Sequence, residues 1–366
     1  MRPPAAVGQR LEEVDTPALV VDLDAFERNL RALADSVAGR DVRVRAHAKT
    51  HKCPEIAKRQ IAAGAVGVCC QKVSEAEAMV EGGINDVLVS NEVVGAPKIA
   101  RLAELSRRAK IGICVDSKEN VRALAASNAP LDVYVEIEVG MRRCGVPPGE
   151  PAASLARDIA GSKNLRFAGL QAYHGRAQHM RSLEERRAAI ANAAKAVRTT
   201  KDLLEKERIA CPIVTGAGSG TYMLEVESGA WNEIQPGSYV FMDVDYARNE
   251  WASPLPRFEH ALFVLAAVMS RPSRELAIVD AGLKASSVDS GMPGVWQRPG
   301  LTYVQASDEH GKIEIASGTA APALGEKILL VPGHCDPTVN LYDWYVGIRA
   351  GVVRELWPIT ARGALL

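Results

Sequence analysis

Eight short apolar runs, most of them separated by helical stretches, follow one another between residues 42 and 241. They are VRVRAHA (Val42–Ala48), VGVCC (Val66–Cys70), DVLVS (Asp86–Ser90), IGICVD (Ile111–Asp116), DVYVEIEV (Asp132–Val139), FAGLQAY (Phe167–Tyr173), PIVTG (Pro212–Gly216) and EIQPGSYVF (Glu233–Phe241). Between them lie stretches rich in Ala, Glu, Arg and Leu, such as PEIAKRQIAAG, KIARLAELSRRA and the long SLEERRAAIANAAKAVRTTKDLLEKER. Strand and helix in alternation imply parallel strands joined by crossovers. Eight such units over roughly 200 residues fit a closed (β/α)8 barrel. The rival is an open doubly wound sheet, which carries a glycine-rich turn after its first strand. Here the first run leaves through His47-Ala48-Lys49-Thr50-His51-Lys52, without a glycine.

After about Asp245 the helical patterns nearly vanish. Runs such as ALFVLAAVMS, ELAIVDAG, LTYVQAS, GKIEIAS, KILLVPG and YVGIRAGVVRELWPI alternate with Gly, Pro and Asp, as in an all-β unit. The expected division is a barrel over 16–245 and a β domain over 246–366. The early run ALVVDL, about 17–23, precedes the eight-fold pattern and is expected to join the second sheet. The 366 residues carry 44 basic and 44 acidic side chains, so no net charge points to nucleic acid or to an anionic membrane. The best apolar run, Ala261–Met269, is far shorter than the ~18 to 20 residues of a membrane helix. The start, MRPPAAVGQRLEE, lacks the apolar core of a signal peptide. Seven scattered cysteines form no CxxC pair, which fits a reducing cytoplasm.

Chemistry in a barrel collects at the C-terminal ends of its strands. The first strand ends at Lys49, where partial desolvation is expected to lower the amine's pKa and free it to attack an aldehyde. Arg45 and His47 alternate with Lys49 and share one strand face, a polar row that suits a site. The fifth strand runs into Gly140-Met141-Arg142-Arg143-Cys144-Gly145, and an arginine between glycines suits an anion or a ring nitrogen. The sixth ends in Tyr173-His174-Gly175-Arg176-Ala177-Gln178-His179, two of the chain's seven histidines in one loop. The seventh and eighth end in Gly216-Ala217-Gly218-Ser219-Gly220 and Pro236-Gly237-Ser238-Tyr239. Small residues there can cradle a phosphate with backbone N–H groups, at the recurrent phosphate position of this fold. In VPGHCDP, His334 and Asp336 are two apart and in an extended chain would face the same way, as a pair of divalent-metal ligands. Taken singly, each feature also has a bland reading: a surface lysine, a surface loop, a turn with a buried histidine. Lys284 is a rival for the reactive lysine, but it lies in the β domain.

Together these stretches resemble the fold-type III pyridoxal-phosphate enzymes, the alanine-racemase-like barrels. Within them the chain is most similar to the group of D-threonine aldolase, 3-hydroxy-D-aspartate aldolase and D-serine dehydratase. The resemblance runs over nearly the whole chain, through DTPALVVDLDAFERN, RAHAKTHK, GVCCQKVSEAEA, VEIEVGMRRCGV, QAYHGRAQH, GAGSGTY, QPGSYVFMD, VDAGLKASSVDSG and VPGHCDPTVNLYDWYVG. It implies that Lys49 carries pyridoxal 5'-phosphate as a Schiff base, with Arg143 near the pyridine ring and Tyr173 close by. Gly218, Ser219, Gly220, Gly237, Ser238 and Tyr239 would bind the cofactor around its phosphate, and His334 and Asp336 would hold the metal. His179 matches an aldolase residue near the substrate's hydroxyl, with a water on the metal as the other candidate base.

Dehydratase-like members carry His-x-Cys where this chain has His-x-Asp, the aldolase pattern. The harder oxygen donor suits Mn, Mg or Co better than Zn. The resemblance therefore implies a lyase that cleaves a small D-3-hydroxy amino acid, D-threonine or 3-hydroxy-D-aspartate, to glycine and an aldehyde. It also implies a homodimer with the site near the interface. A dehydratase releasing ammonia is the nearest alternative, and a non-catalytic cofactor carrier is an alternative of another class. Arg142, Arg176, Arg248 and Arg298 are the candidate partners for a second substrate carboxylate.

Overall fold

The computed structural model describes residues 2–366. Strand β1 (Ala18–Asp22) runs into α1 (Leu23–Val37), which the Asp22 side chain caps by accepting from the N–H groups of Asp24 and Ala25. Eight parallel strands then close on themselves. They are β2 (Arg43–His47), β3 (Gly67–Cys70), β4 (Asp86–Glu92), β5 (Lys110–Val115), β6 (Leu131–Glu136), β7 (Leu165–Ala172), β8 (Ile213–Gly216) and β9 (Glu233–Ile234). Helices α2 (Pro54–Ala62), α3 (Val73–Glu81), α4 (Ala96–Leu105), α5 (Lys118–Ala126), α6 (Glu150–Ala160), α7 (Leu183–Lys206) and α8 (Tyr222–Ser228) lie between them. The architecture is the (β/α)8 barrel expected from the alternation. The eighth strand is shorter than its run: Pro236 and Gly237 end the ladder, and Ser238–Val240 coils into a 3₁₀ turn.

Strand periodicity sorts the side chains into two layers. Val68, Val87, Val89, Ile113, Val133 and Val135 pack outward against Met79, Leu102, Leu124 and Ile159 of the helices. Cys69, Leu88, Cys114 and Tyr134 form a small cluster of their own with Ala168, inside the barrel. Arg45, 1% exposed, sits among the inward positions. Its guanidinium lies 3.0 Å from Glu233 and 2.6 Å from Asp86, two residues at the starts of their strands. The polar row of β2 is therefore divided. Arg45 plugs the barrel's lower end with ion pairs, and only His47 and Lys49 reach the upper end.

After the short helix α9 (Val244–Ala247) the chain builds β10 (Leu262–Ser273), β11 (Leu276–Val279), β12 (Gly294–Val295), β13 (Leu301–Ala306), β14 (Gly311–Ile315), β15 (Lys327–Val331), then α10 (Cys335–Val339), β16 (Trp344–Arg349) and β17 (Val352–Pro358). The sheet order is β13-β14-β11-β10-β1-β16-β17, with β15 on β10 and β12. Strand β1 sits in its middle, antiparallel to β10 and parallel to β16. Phe26 of α1, Phe241 of the barrel rim, and Tyr345 and Trp357 of the sheet stack on one another and weld the two parts. Among the described residues no helix is long and apolar enough to cross a membrane.

Candidate active site

The upper ends of the barrel strands open into one cavity, to whose wall the β domain adds two residues. Lys49 enters from the 3₁₀ turn after β2, Gln71 and Ser90 from β3 and β4, and Met141 and Arg143 from the loop after β6. Tyr173, Arg176 and His179 follow β7, while Gly218, Ser219, Gly237 and Ser238 follow β8 and β9. His334 and Asp336 come from the start of α10.

Lys49 Nζ lies 2.9 Å from Asp336 Oδ2. This carboxylate holds the ammonium's pKa above its ordinary value against the opposing effect of burial. The expected depression of the lysine is thus reversed, because the neighbour is an acid from the other domain rather than an apolar wall. Asp336 responds in kind. Burial resists its ionisation, but Lys49 and His334 outweigh that and hold its pKa down to about 2. His47, buried on the cavity floor, is kept neutral first by desolvation and then by Lys49.

His334 is the N-cap residue of α10 and Asp336 lies in its first turn, so the chain here is a helix start rather than extended. Both side chains still line the cavity. Cys335 turns away, fully buried, with its thiol toward the Met242 carbonyl at 3.4 Å. Asp289 Oδ2 sits 2.8 Å from His334 Nδ1 and fixes the ring. Asp336 Oδ1 is buried with no hydrogen-bond partner among the described residues. An imidazole held from behind, beside an orphaned carboxylate oxygen, is a donor set that fits a hard divalent cation. Glu92, Asp116 and Cys144 also bring donor atoms within 4.8 Å of one another, but that group does not include His334 or Asp336.

His179 Nδ1 lies 2.6 Å from Asp245 Oδ2, and Asp245 also pairs with Arg181. The imidazole is thereby oriented with Nε2 free of any such partner among the described residues, the arrangement of a general base backed by a carboxylate. Arg143 places its guanidinium 5.7 Å from the centre of the Tyr173 ring. Of the small residues after β8 and β9, Gly218, Ser219, Gly237 and Ser238 line the cavity. A Cβ on Gly237 would come within 2.6 Å of the Thr50 side-chain Oγ1 and 3.0 Å of the His47 carbonyl oxygen, so the space here is too tight for a larger residue. Gly220 and Tyr239 are placed behind this rim. The Gly220 N–H is taken by Gln178 Oε1 at 2.9 Å. The Tyr239 ring packs on Phe258, its N–H donates to Ser219 Oγ, and its hydroxyl accepts from Gln60.

Four side chains that sequence reasoning did not single out belong to this arrangement: Asp245, Asp289, Gln71 and Tyr246. Asp245 directly follows the quoted QPGSYVFMD stretch and Val244, and a carboxylate there was the available signal. The four arginines considered for a second carboxylate separate clearly. Arg176 lines the cavity, Arg298 is paired with Glu326, Arg248 reaches the Ser290 carbonyl at 3.4 Å, and Arg142 is exposed outside the lining. Chemically, the cavity offers an amine, an oriented imidazole, a hard-cation pair and a rim suited to an anion.

Comparison with known proteins identifies the family of the chain. Residues 21–245 match the alanine racemase N-terminal domain, and residues 261–348 match the putative serine dehydratase domain. The chain is 49% identical to D-threonine aldolase of Arthrobacter sp over 99% of its own length and 96% of that protein's. It is 47% identical to 3-hydroxy-D-aspartate aldolase of Paracoccus denitrificans (strain Pd 1222), over 98% and 95%. The crystal structure of D-threonine aldolase from Filomicrobium marinum superposes with a TM-score of 0.97 at 53% identity, covering 99% of this chain and 100% of that one. The chain therefore belongs to the family of alanine-racemase-type barrels with a serine-dehydratase-type β domain, beside the D-threonine and 3-hydroxy-D-aspartate aldolases.

Proposed function

We propose that this protein cleaves a D-3-hydroxy amino acid to glycine and an aldehyde, with pyridoxal phosphate on Lys49 and a divalent cation on His334 and Asp336. The observation that carries this reading is convergence: Lys49, His179 with Asp245, and His334 with Asp336 come from three distant stretches into one cavity. The cradle of Gly218, Ser219, Gly237 and Ser238 suits the phosphate, and Arg143 and Tyr173 flank the space for the ring. When bound, the cofactor supplies an electron sink for the pair left on Cα, and the cation supplies a Lewis acid for the 3-hydroxyl.

The chain's own residues do the rest. Lys49 would anchor the cofactor; it pairs with Asp336 through Oδ2, which leaves Oδ1 of that carboxylate, beside His334, as the donor that would hold the cation. His334, its ring held by Asp289, would be the nitrogen ligand of the cation. His179 takes the hydroxyl proton at Nε2, while Asp245 stabilises the imidazolium that forms. The O–H electrons become the aldehyde carbonyl as Cα–Cβ breaks, and a proton returned to Cα completes glycine. The cysteines Cys53, Cys69, Cys70, Cys114, Cys144, Cys211 and Cys335 are all unpaired, which supports a reducing, cytoplasmic setting. A homodimer follows from the resemblance and is checked by sedimentation.

The test is an assay of purified protein with pyridoxal phosphate and Mn²⁺, with and without chelator, offering D-threonine, 3-hydroxy-D-aspartate and D-serine. Chelator-sensitive glycine plus an aldehyde is the expected result. Ammonia without glycine would make the enzyme a dehydratase and overturn the assignment.

A further inference from the structure

We infer that Arg176 reads the substituent on the substrate's Cβ and selects a carboxylate there, so that the preferred substrate is a dicarboxylic 3-hydroxy-D-amino acid rather than D-threonine. This rests on the aldolase reading of the cavity. Three observations carry it.

The first is register. Gly175–His179 is a 3₁₀ turn, and at three residues per turn Arg176 and His179 stand one above the other. Both line the cavity. If His179 meets the 3-hydroxyl, the other group on that same carbon is a bond away, on the side where Arg176 stands.

The second is charge. Asp336 is the one carboxylate among the described residues lining the cavity, and Lys49 is on it. Arg143 is committed to the Tyr173 ring face. Arg176 has neither partner. Glu185 shares the outer surface of the turn with it but forms no ion pair with it among the described residues. A guanidinium kept unpaired at the mouth of an anion-binding cavity is a ready bidentate site for a carboxylate.

The third is the lack of an alternative. D-threonine presents a methyl group, which needs an apolar pocket. Met141 is the one aliphatic side chain among the described lining residues, and it packs on Gly175. The Tyr173 and Tyr246 rings also line the cavity, Tyr246 5.5 Å from His179, but beside Met141 they add no closed aliphatic pocket for a methyl.

The experiment compares wild type with Arg176→Gln and Arg176→Lys. One readout is the ratio of kcat/KM for 3-hydroxy-D-aspartate to that for D-threonine. The other is the dissociation constant for D-aspartate and for D-alanine, taken from the change in cofactor absorbance, which needs no turnover. Wild type should favour 3-hydroxy-D-aspartate. Arg176→Gln should lower the ratio ~10- to 100-fold, chiefly through KM, as expected on losing a hydrogen-bonded charge pair. It should weaken D-aspartate far more than D-alanine, and Arg176→Lys should restore part of both effects. If both substrates and both ligands weaken together, Arg176 holds the α-carboxylate and the inference fails. If neither ratio moves, it fails as well. If wild type cleaves no D-3-hydroxy amino acid, the aldolase reading itself falls, and the D-aspartate titration still decides the role of Arg176.

Discussion

His179 owes its direction to Asp245, and that dependence is measurable. Replacing Asp245 by Asn should lower kcat ~10- to 100-fold with a smaller change in KM, the usual scale for losing a partner that orients an imidazole. Asp245→Glu should recover part of it. A fall in thermal stability with kcat intact would reduce Asp245 to a structural ion-pair partner of Arg181. A second residue-scale consequence concerns Glu136, which is 4% exposed at the end of β6. Burial first, and then the charge of Glu92, push its pKa up from 4.5 to about 8, with Arg143 opposing. Glu92 Oε1 beside it is buried without a hydrogen-bond partner among the described residues. A carboxyl whose folded pKa is raised binds its proton more tightly in the folded state. Stability therefore falls as pH rises from about 4.5 to about 8 and stays lowered above that. Glu136→Gln should flatten the loss of melting temperature of the cofactor-free protein between pH 6 and 9. An unchanged slope would show that the two carboxyls ionise freely. The histidine was legible in the sequence because histidines are scarce and two share the loop. Its partner was not, since Asp245 is 66 residues away and only closure of the barrel brings it back. The same holds for Asp289, 45 residues from His334.

At the scale of elements, the 3₁₀ turn after β7 organises the loop after β8. Gln178 is fully buried. Its Nε2 donates to Thr221 Oγ1 at 2.7 Å, and its Oε1 accepts the Gly220 N–H at 2.9 Å. The turn that brings Arg176 and His179 to the cavity thus clamps the glycine-rich rim with its buried Gln178 side chain. Gln178→Ala would leave the Gly220 N–H buried and unpaired at a cost of ~1 to 3 kcal/mol. If that loosens the rim, the dissociation constant for pyridoxal phosphate should rise ~10-fold, read by fluorescence titration. A lowered melting temperature with unchanged affinity would mean that the rim holds its shape without the clamp. The strands themselves were legible because β-branched runs alternating with helices leave few architectures open. The end of the eighth run was not. QPGSYVF has the composition of a strand, yet Pro236 lacks the N–H a ladder needs and the chain coils at Ser238. That coil is why Tyr239 points into the apolar layer against Phe258 and not into the cavity. The extended reading of His-Cys-Asp erred in the same way. Two residues two apart can share a direction at a helix start as well as in a strand, and the sequence pattern does not separate the cases.

For the whole molecule, the decisive feature is that neither domain holds the site alone. The barrel supplies Lys49, and the β domain supplies Asp336 at 2.9 Å. Strand β1, first in the chain, lies between β10 and β16 and carries α1 onto the barrel rim, so the two parts are bound before any ligand arrives. A ligand that bridges them should stabilise the whole fold and not one part of it. Any ligand that binds only the folded state adds ~2.7 kcal/mol when present at 100 times its dissociation constant. For a chain of this size that is an increase of about 3 to 6 °C in melting temperature. Saturating Mn²⁺ added to the cofactor-loaded protein should produce such a rise in a single transition. Asp336→Ala should keep the increment due to the cofactor and lose the one due to Mn²⁺, and it should lose cleavage activity by at least ~100-fold while the cofactor absorbance stays. A variant that still gains stability from Mn²⁺ would place the cation elsewhere, and the three donors of Glu92, Asp116 and Cys144 would be the place to look. Two separate transitions in the wild type would show instead that the interface of Phe26, Phe241, Tyr345 and Trp357 is weaker than its packing indicates.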